Sequence, residues 1–248
     1  MEVISFGGGV NSTAMAIRLI NEGWQGKIIF ADTGTEWPET YCFMDYFERE
    51  WLVPRGFEII CLGGDYRALG HGRDSRPLIQ FCEDYAVTPF LGTRWCTQGW
   101  KTDPIDAWCQ EHSFERQLVA IASDESWRQK GRICPLIDAS IDREGCIRII
   151  EVEGLSVPHK SGCYICPMQR YTQWRELHEN HPELFERAAR LEDLSTQRRK
   201  SKDGKRTILE ASGRHSLREM EIMFKQGNLF DDATLDGLLR HRACVCGL

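Results

Sequence analysis

The chain has 248 residues, 42% of them hydrophobic and 27% charged, with a formal net charge of −6 and 31 Lys plus Arg. That size suits one core domain with an appendage, and that balance excludes a broad cationic field for nucleic acid while leaving room for local basic patches. No apolar run approaches the roughly 20 residues that cross a bilayer, and the first apolar run starts almost at Met1, so no membrane partner and no signal peptide are expected and a cytoplasmic location is.

In chain order, the pattern predicts a strand at residues 3–6, a helix at 13–21, and a strand at 27–31 that ends at Asp32-Thr33-Gly34. A helix with an aromatic face follows at 39–51, then a strand at 57–62, a helix at 103–111 and a strand at 117–122. This alternation predicts an α/β fold, a parallel sheet with helices on both faces. Binding sites in such sheets lie at the carboxyl ends of the strands, where the glycine run, Asp32-Thr33-Gly34 and Ser123-Asp124-Glu125 all fall. The second half reads as an edge strand at 145–152, a cysteine loop at 158–167, mostly helix over 169–194, and shorter helices at 217–224 and 234–240. A charged break at 197–206 is either a solvated loop or a clamp for phosphates. The expected division is a nucleotide-binding domain at 1–155 and a helical, cysteine-containing region at 156–248.

The first candidate site is the run Ser5-Phe6-Gly7-Gly8-Gly9-Val10-Asn11-Ser12-Thr13. Strand, glycines, then helix start is an arrangement that cradles a phosphate or sulfate. Glycines let backbone N–H groups approach the anion, and the first turn of the helix points its free donors at it. Ser12 and Thr13 add hydroxyls at the cap. No Lys-Ser/Thr closes the loop and no Gly-x-Gly-x-x-Gly is present, so neither a Walker A motif nor a dinucleotide fingerprint fits.

Eleven cysteines in a chain expected to be cytoplasmic need a role other than disulfides. Cys42, Cys61, Cys82 and Cys109 sit among apolar residues and read as core fillers, whereas Cys134 and Cys146 stay open. Cys96, the pair Cys163-x-x-Cys166 and the terminal Cys244-Val245-Cys246 look different. They suit a thiolate metal site, zinc included, or a bare redox pair at Cys163 and Cys166.

The glycine run resembles the PP-loop of the adenine nucleotide α-hydrolase superfamily, Ser-Gly-Gly-x-x-Ser after a strand. Gly8, Gly9 and Ser12 match; Gly7 replaces the first serine, and Asn11 an aspartate that many members carry. Residues 30–40, with Asp32-Thr33-Gly34 and Pro38-Glu39-Thr40, resemble the Asp-Thr-Gly-x-x-x-Pro-Glu-Thr segment of phosphoadenylyl sulfate (PAPS) reductases. Residues 94–104 resemble a further segment of that family, in which a basic residue and a Lys before Pro approach the phosphate or sulfate. The resemblance covers residues 1 to about 170. It implies a Rossmann-like PP-loop fold and an adenine nucleotide held by Ser5, Gly7, Gly8, Gly9, Asn11, Ser12, Asp32, Thr33 and Gly34. Arg94 and Lys101 become anion ligands, a bidentate fork and a point charge. A looser match over 123–128 places Arg128 near the active site.

In the cluster-bearing adenylyl sulfate reductases a Cys-Cys pair and a later Cys-x-x-Cys hold a [4Fe–4S] centre. Cys96 aligns with that pair but is followed by Thr97, so the resemblance implies Cys96, Cys163 and Cys166 as ligands. Cys244 would be the fourth, Cys134 is in reserve, and zinc is the competing metal. Cys246-Gly247-Leu248 is similar to the Glu-Cys-Gly-Leu-His-like end of sulfonucleotide reductases and implies Cys246 as the nucleophile. Val245 stands for the acidic residue, and no histidine follows.

Three readings follow from the resemblance. The leading one is reductive release of sulfite from adenylyl sulfate or its 3′-phosphate, with a thiol reductant such as thioredoxin as partner. The second is magnesium-ATP-dependent adenylation and thiolation of tRNA or DNA, with residues 197–206 and the aromatics Tyr171 and Trp174 as a grip. Trp174 also fits a core position at helical spacing with Leu177. The third is a nucleotide-binding iron–sulfur sensor without turnover. A homo-oligomer is compatible with all three.

Overall fold

The computed structural model describes residues 1–89, 93–200 and 215–226, the side chains of 199 and 200 excepted. The expected helix at 234–240, most of the 197–206 break, Cys244 and Cys246 lie outside the described residues. The described chain forms two compact units. Met1–Pro77 and Thr97–Cys163 make the first; Leu78–Cys96 and residues 164–226 make the second.

The first unit is built on a four-stranded sheet in the order β3-β2-β1-β4, formed by β1 (Glu2–Ser5), β2 (Lys27–Ala31), β3 (Ile59–Leu62) and β4 (Arg116–Val119). All pairings are parallel, with Ser5 opposite Ile29 on one side and Val119 on the other. Burial on both faces explains why β2 reads as a continuous apolar run. Ile4, Phe6, Ile28 and Phe30 pack on the helices Val10–Asn21, Pro38–Phe47 and Arg143–Val152. Val3, Ile29 and Ala31 face Ile105, Trp108 and Cys109 of the helix Asp103–Glu111. The expected aromatic face is a ladder, Phe6 on Phe47 at 5.9 Å, Phe43 on Phe47 at 6.0 Å and Phe47 on Trp51 at 5.5 Å. Each such ring, fully buried, contributes about 1.5–3 kcal/mol.

The sequence misreads one element here. Residues 145–152 were expected to form an edge strand, because Ile147, Ile149 and Ile150 are β-branched. They belong to the helix Arg143–Val152. The Asp142 carboxylate caps its start by accepting from the Gly145 amide at 2.7 Å, and Cys146 and Ile150, one turn apart, are both fully buried. Packing thus overrides propensity. This helix lies beside Val10–Asn21 and runs the same way. Arg143 Nη1 donates to Asn11 Oδ1 (3.0 Å) at one end, and Asn21 Nδ2 donates to Glu153 Oε1 (2.8 Å) at the other.

Two cysteine expectations also change. Cys82 and Cys109 are buried, but Cys42 and Cys61 are exposed. Cys42 lies on the outer face of a helix whose inner face is Thr40, Phe43, Met44 and Phe47, and Cys61 lies on β3, an edge strand. Cys134 and Cys146, left open by the sequence, are buried.

The second unit is helical: Leu78–Asp84, Tyr171–Asn180, Pro182–Lys200 and Leu217–Gln226. Tyr171 and Trp174, 4% and 1% exposed, are core residues and not a surface grip. They share a helical stripe with Leu177, and Trp174 meets Phe185 edge-on at 6.4 Å. Arg218 reaches Glu186 (2.6 Å) and Asp193 (3.2 Å), pinning the last described helix to the long one. Hydrogen bonds from Arg218 and Arg190 push the Glu186 carboxyl down to about 2. Among the described residues no helix is long and apolar enough to cross a membrane.

Candidate functional site

The strand order places a reversal between β1 and β4, and ligands of open parallel sheets bind outside the carboxyl ends at such a point. Gly7, Gly8 and Gly9 leave β1 there, and residues 120–128 leave β4 beside them. Gly8 has φ +66°, and a Cβ on it would meet Thr40 Cγ2 at 2.7 Å; a Cβ on Gly9 would meet Ser161 Oγ at 2.5 Å. Gly7 is under no such constraint, since the nearest atom to an added Cβ is Ser12 Oγ at 3.9 Å.

Gly9 is the N-cap of the helix Val10–Asn21, which receives no side-chain cap. Its amide donates to Ser12 Oγ (3.2 Å), and the Ser12 and Thr13 hydroxyls donate back to its carbonyl, each at 3.0 Å. The helix therefore starts with its dipole and first-turn donors uncovered by any acidic side chain. The parallel helix Arg143–Val152, by contrast, is closed by Asp142. Ser5 Oγ, at the end of β1, is buried without a hydrogen-bond partner among the described residues.

The turn after β2 is arranged differently. Asp32 Oδ1 accepts from the Gly34 amide (2.8 Å) and from the Tyr41 hydroxyl (2.6 Å), and the Asp32 carbonyl accepts from the buried Arg67 guanidinium. Thr33 Oγ1 lies 2.7 Å from Thr35 Oγ1 and 3.4 Å from Cys163 Sγ, and it donates to Glu36 Oε1 at 3.1 Å. Lys101 Nζ pairs with the same Glu36 oxygen at 3.0 Å, with the carboxylate fully buried. A backbone bridge joins Glu36 to Cys163. The Lys101 charge is thus committed to Glu36, a residue that sequence reasoning missed although it lies inside the Asp32–Thr40 segment.

Beyond β4, Arg128 is buried (6% exposed) and its Nη1 donates to Glu125 Oε2 at 2.6 Å. Asp124 Oδ1 accepts from the Arg143 amide (3.2 Å), and Arg143 in turn holds Asn11. This link ties the β4 turn to the glycine-loop helix, and no local signal in the sequence announces Arg143. Arg94, half-buried with φ +47°, and Cys96, also half-buried, belong to the second unit, as does the buried Cys166.

Among the described residues no three His, Cys, Asp or Glu side chains gather as a metal-holding group. Cys163 has the environment of a neutral thiol: burial first, then Glu36, push its ionisation well above the ordinary range, and its Sγ donates to Glu36 Oε1 at 3.7 Å. A thiolate there would need a bound cation to offset Glu36. Comparison of the chain with protein-family models and with curated proteins finds no match.

Proposed function

We propose that this chain is an adenine-nucleotide-binding enzyme of sulfur chemistry, of the PP-loop and PAPS reductase kind. The observation that carries the reading is the helix start at the β1/β4 reversal, whose first turn holds no acidic side chain. The nucleotide's phosphate sits on the amides of Gly7 and Gly8 and the helix start, with Asn11 and Arg143 at its flank, and the Gly9 amide and Ser12 hydroxyl join by exchanging their mutual hydrogen bonds for the ligand. Asp32, Thr33 and Gly34 frame the ribose side. Arg94 and Lys101 stabilise charge on the leaving phosphate, Lys101 only where its pairing with Glu36 is shared with the ligand. In the leading reaction the Cys246 thiolate attacks the sulfur of adenylyl sulfate or its 3′-phosphate, the nucleoside phosphate leaves, and an external thiol releases sulfite. Cys96, Cys163, Cys166 and Cys244 would hold a [4Fe–4S] cluster, which when bound supplies a one-electron redox centre, or a structural zinc.

A second reading, ATP-dependent thiolation of a nucleic acid with magnesium, is favoured by the exposed Trp127 at the same sheet edge. One assay separates these readings. Anaerobically purified protein is given adenylyl sulfate or its 3′-phosphate with a dithiol, and sulfite is measured. Sulfite that disappears in Cys246→Ser supports the reductase; its absence from folded protein rejects it. Pyrophosphate from magnesium-ATP supports thiolation, and nucleotide binding without any product supports the sensor.

A further inference from the structure

Residues 127–132 read Trp-Arg-Gln-Lys-Gly-Arg, and the function proposed above uses only the first of them, as a pointer to a second reading. Trp127 is 63% exposed, the one exposed tryptophan among the described residues. After it the chain reverses sharply: the Arg132 amide donates to the Gln129 carbonyl (2.9 Å), with Lys130 at φ +44° and Gly131 at φ +77°. Two successive left-handed residues define a type I′ turn, in which a lysine is an uncommon choice that carries strain. Gln129 Nε2 braces the turn by donating to the Arg132 carbonyl at 3.3 Å. The result lifts Lys130 and Arg132 into solvent.

Two acidic groups of the turn after β4 are engaged elsewhere. Glu125 neutralises the buried Arg128 beneath the strip, and Asp124 accepts the Arg143 amide. Arg143, its guanidinium partly desolvated where it donates to Asn11, carries positive charge towards the glycine loop. An exposed indole flanked by free cations, on a chain whose net charge is −6, matches how single strands are held: a base stacks on the ring while the cations track its phosphates. A duplex offers no free base face to such a ring.

We infer that Trp127, Lys130 and Arg132, on the turn that follows β4, form a docking strip for single-stranded nucleic acid. The strip goes beyond the nucleotide reading and stands without it; if both hold, the strand is the acceptor that thiolation requires.

The test is fluorescence anisotropy of the full chain with labelled oligonucleotides of about 20 nucleotides, one RNA and one DNA. Wild type binds at low salt. Trp127→Ala weakens binding about tenfold and Trp127→Phe far less. Lys130→Ala with Arg132→Ala flattens the salt dependence, by about 0.7 in log–log slope for each cation removed. Adenine-nucleotide affinity, measured in parallel, is unchanged in every variant, so failure of the nucleotide site is read separately. The inference is overturned if wild type binds neither oligonucleotide or if the variants bind as wild type does. It is equally overturned if Trp127→Ala weakens the nucleotide instead, or if the cation variants lose only an acidic protein such as a thioredoxin.

Discussion

Two turns leave the carboxyl edge of the sheet from adjacent strands and treat their polar groups in opposite ways. After β1, no acidic side chain covers the start of the glycine-loop helix, and the glycines make room for the side chains of Thr40 and Ser161 beside the loop. After β2, the charged and polar groups pair with one another: Asp32 with Gly34, Tyr41 and Arg67, and Thr33 and Lys101 with one oxygen of Glu36. Cationic residue type is therefore a poor guide to ligand contact, because a buried lysine is held first by its own carboxylate.

The largest expected effect tests the turn after β2. Lys101→Met leaves Glu36 buried without its counter-charge and should cost about 3–5 kcal/mol in denaturant-measured stability. Adding Glu36→Gln to the same chain should return much of that loss. A Lys101→Met protein as stable as wild type would mean that the pair does not close the turn.

Next comes the turn after β1. Gly8→Ala forces a Cβ to within 2.7 Å of Thr40 in a left-handed conformation, so stability should fall by about 1–3 kcal/mol. Nucleotide binding, followed by calorimetry, should weaken by more than about tenfold through loss of the backbone cradle. Retained affinity would remove the glycine loop from the site.

The neighbouring capped helix supplies the control. Asp142→Ala should cost about 1 kcal/mol, the ordinary value of a lost N-cap, with nucleotide affinity unchanged. A fall in affinity equal to that of Gly8→Ala would show that both helix starts serve the ligand. The smallest effect is expected at Gly7, where a side chain fits. Gly7→Ser should change stability by no more than about 0.5 kcal/mol and tighten nucleotide binding a few-fold by adding a hydroxyl donor. Weaker binding would mean that the position needs glycine after all.

Much of the fold was legible locally. The strand at 27–31 and the helix at 103–111 have the expected bounds, because an uninterrupted apolar run and a Pro near a helix start are strong signals in consecutive residues. Pro38 opens its helix for the same reason. The Arg143–Val152 helix was not legible, since its isoleucines favour a strand until Cys146 and Ile150 find the glycine-loop helix to pack on. Cys61 looked like core because its neighbours are apolar, but the position of β3 at the sheet edge exposes it. The glycine turn between a strand and a helix was legible; the Glu36 partner of Lys101 was not, because nothing in the spacing of the two residues announces their pairing.

The sequence by itself determined what short-range sterics and hydrogen bonding encode: alternating strands and helices, a glycine turn leading into a helix, and a proline-started helix after Asp32-Thr33-Gly34. The tertiary structure decided how charges and polar side chains are shared. It put Lys101 on Glu36, Arg143 on Asn11 and Arg128 on Glu125, and left Trp127 in solvent. The physical reason is range. Backbone conformation answers to the next few residues, whereas an ion pair or an exposed ring depends on which distant segments the sheet order brings together.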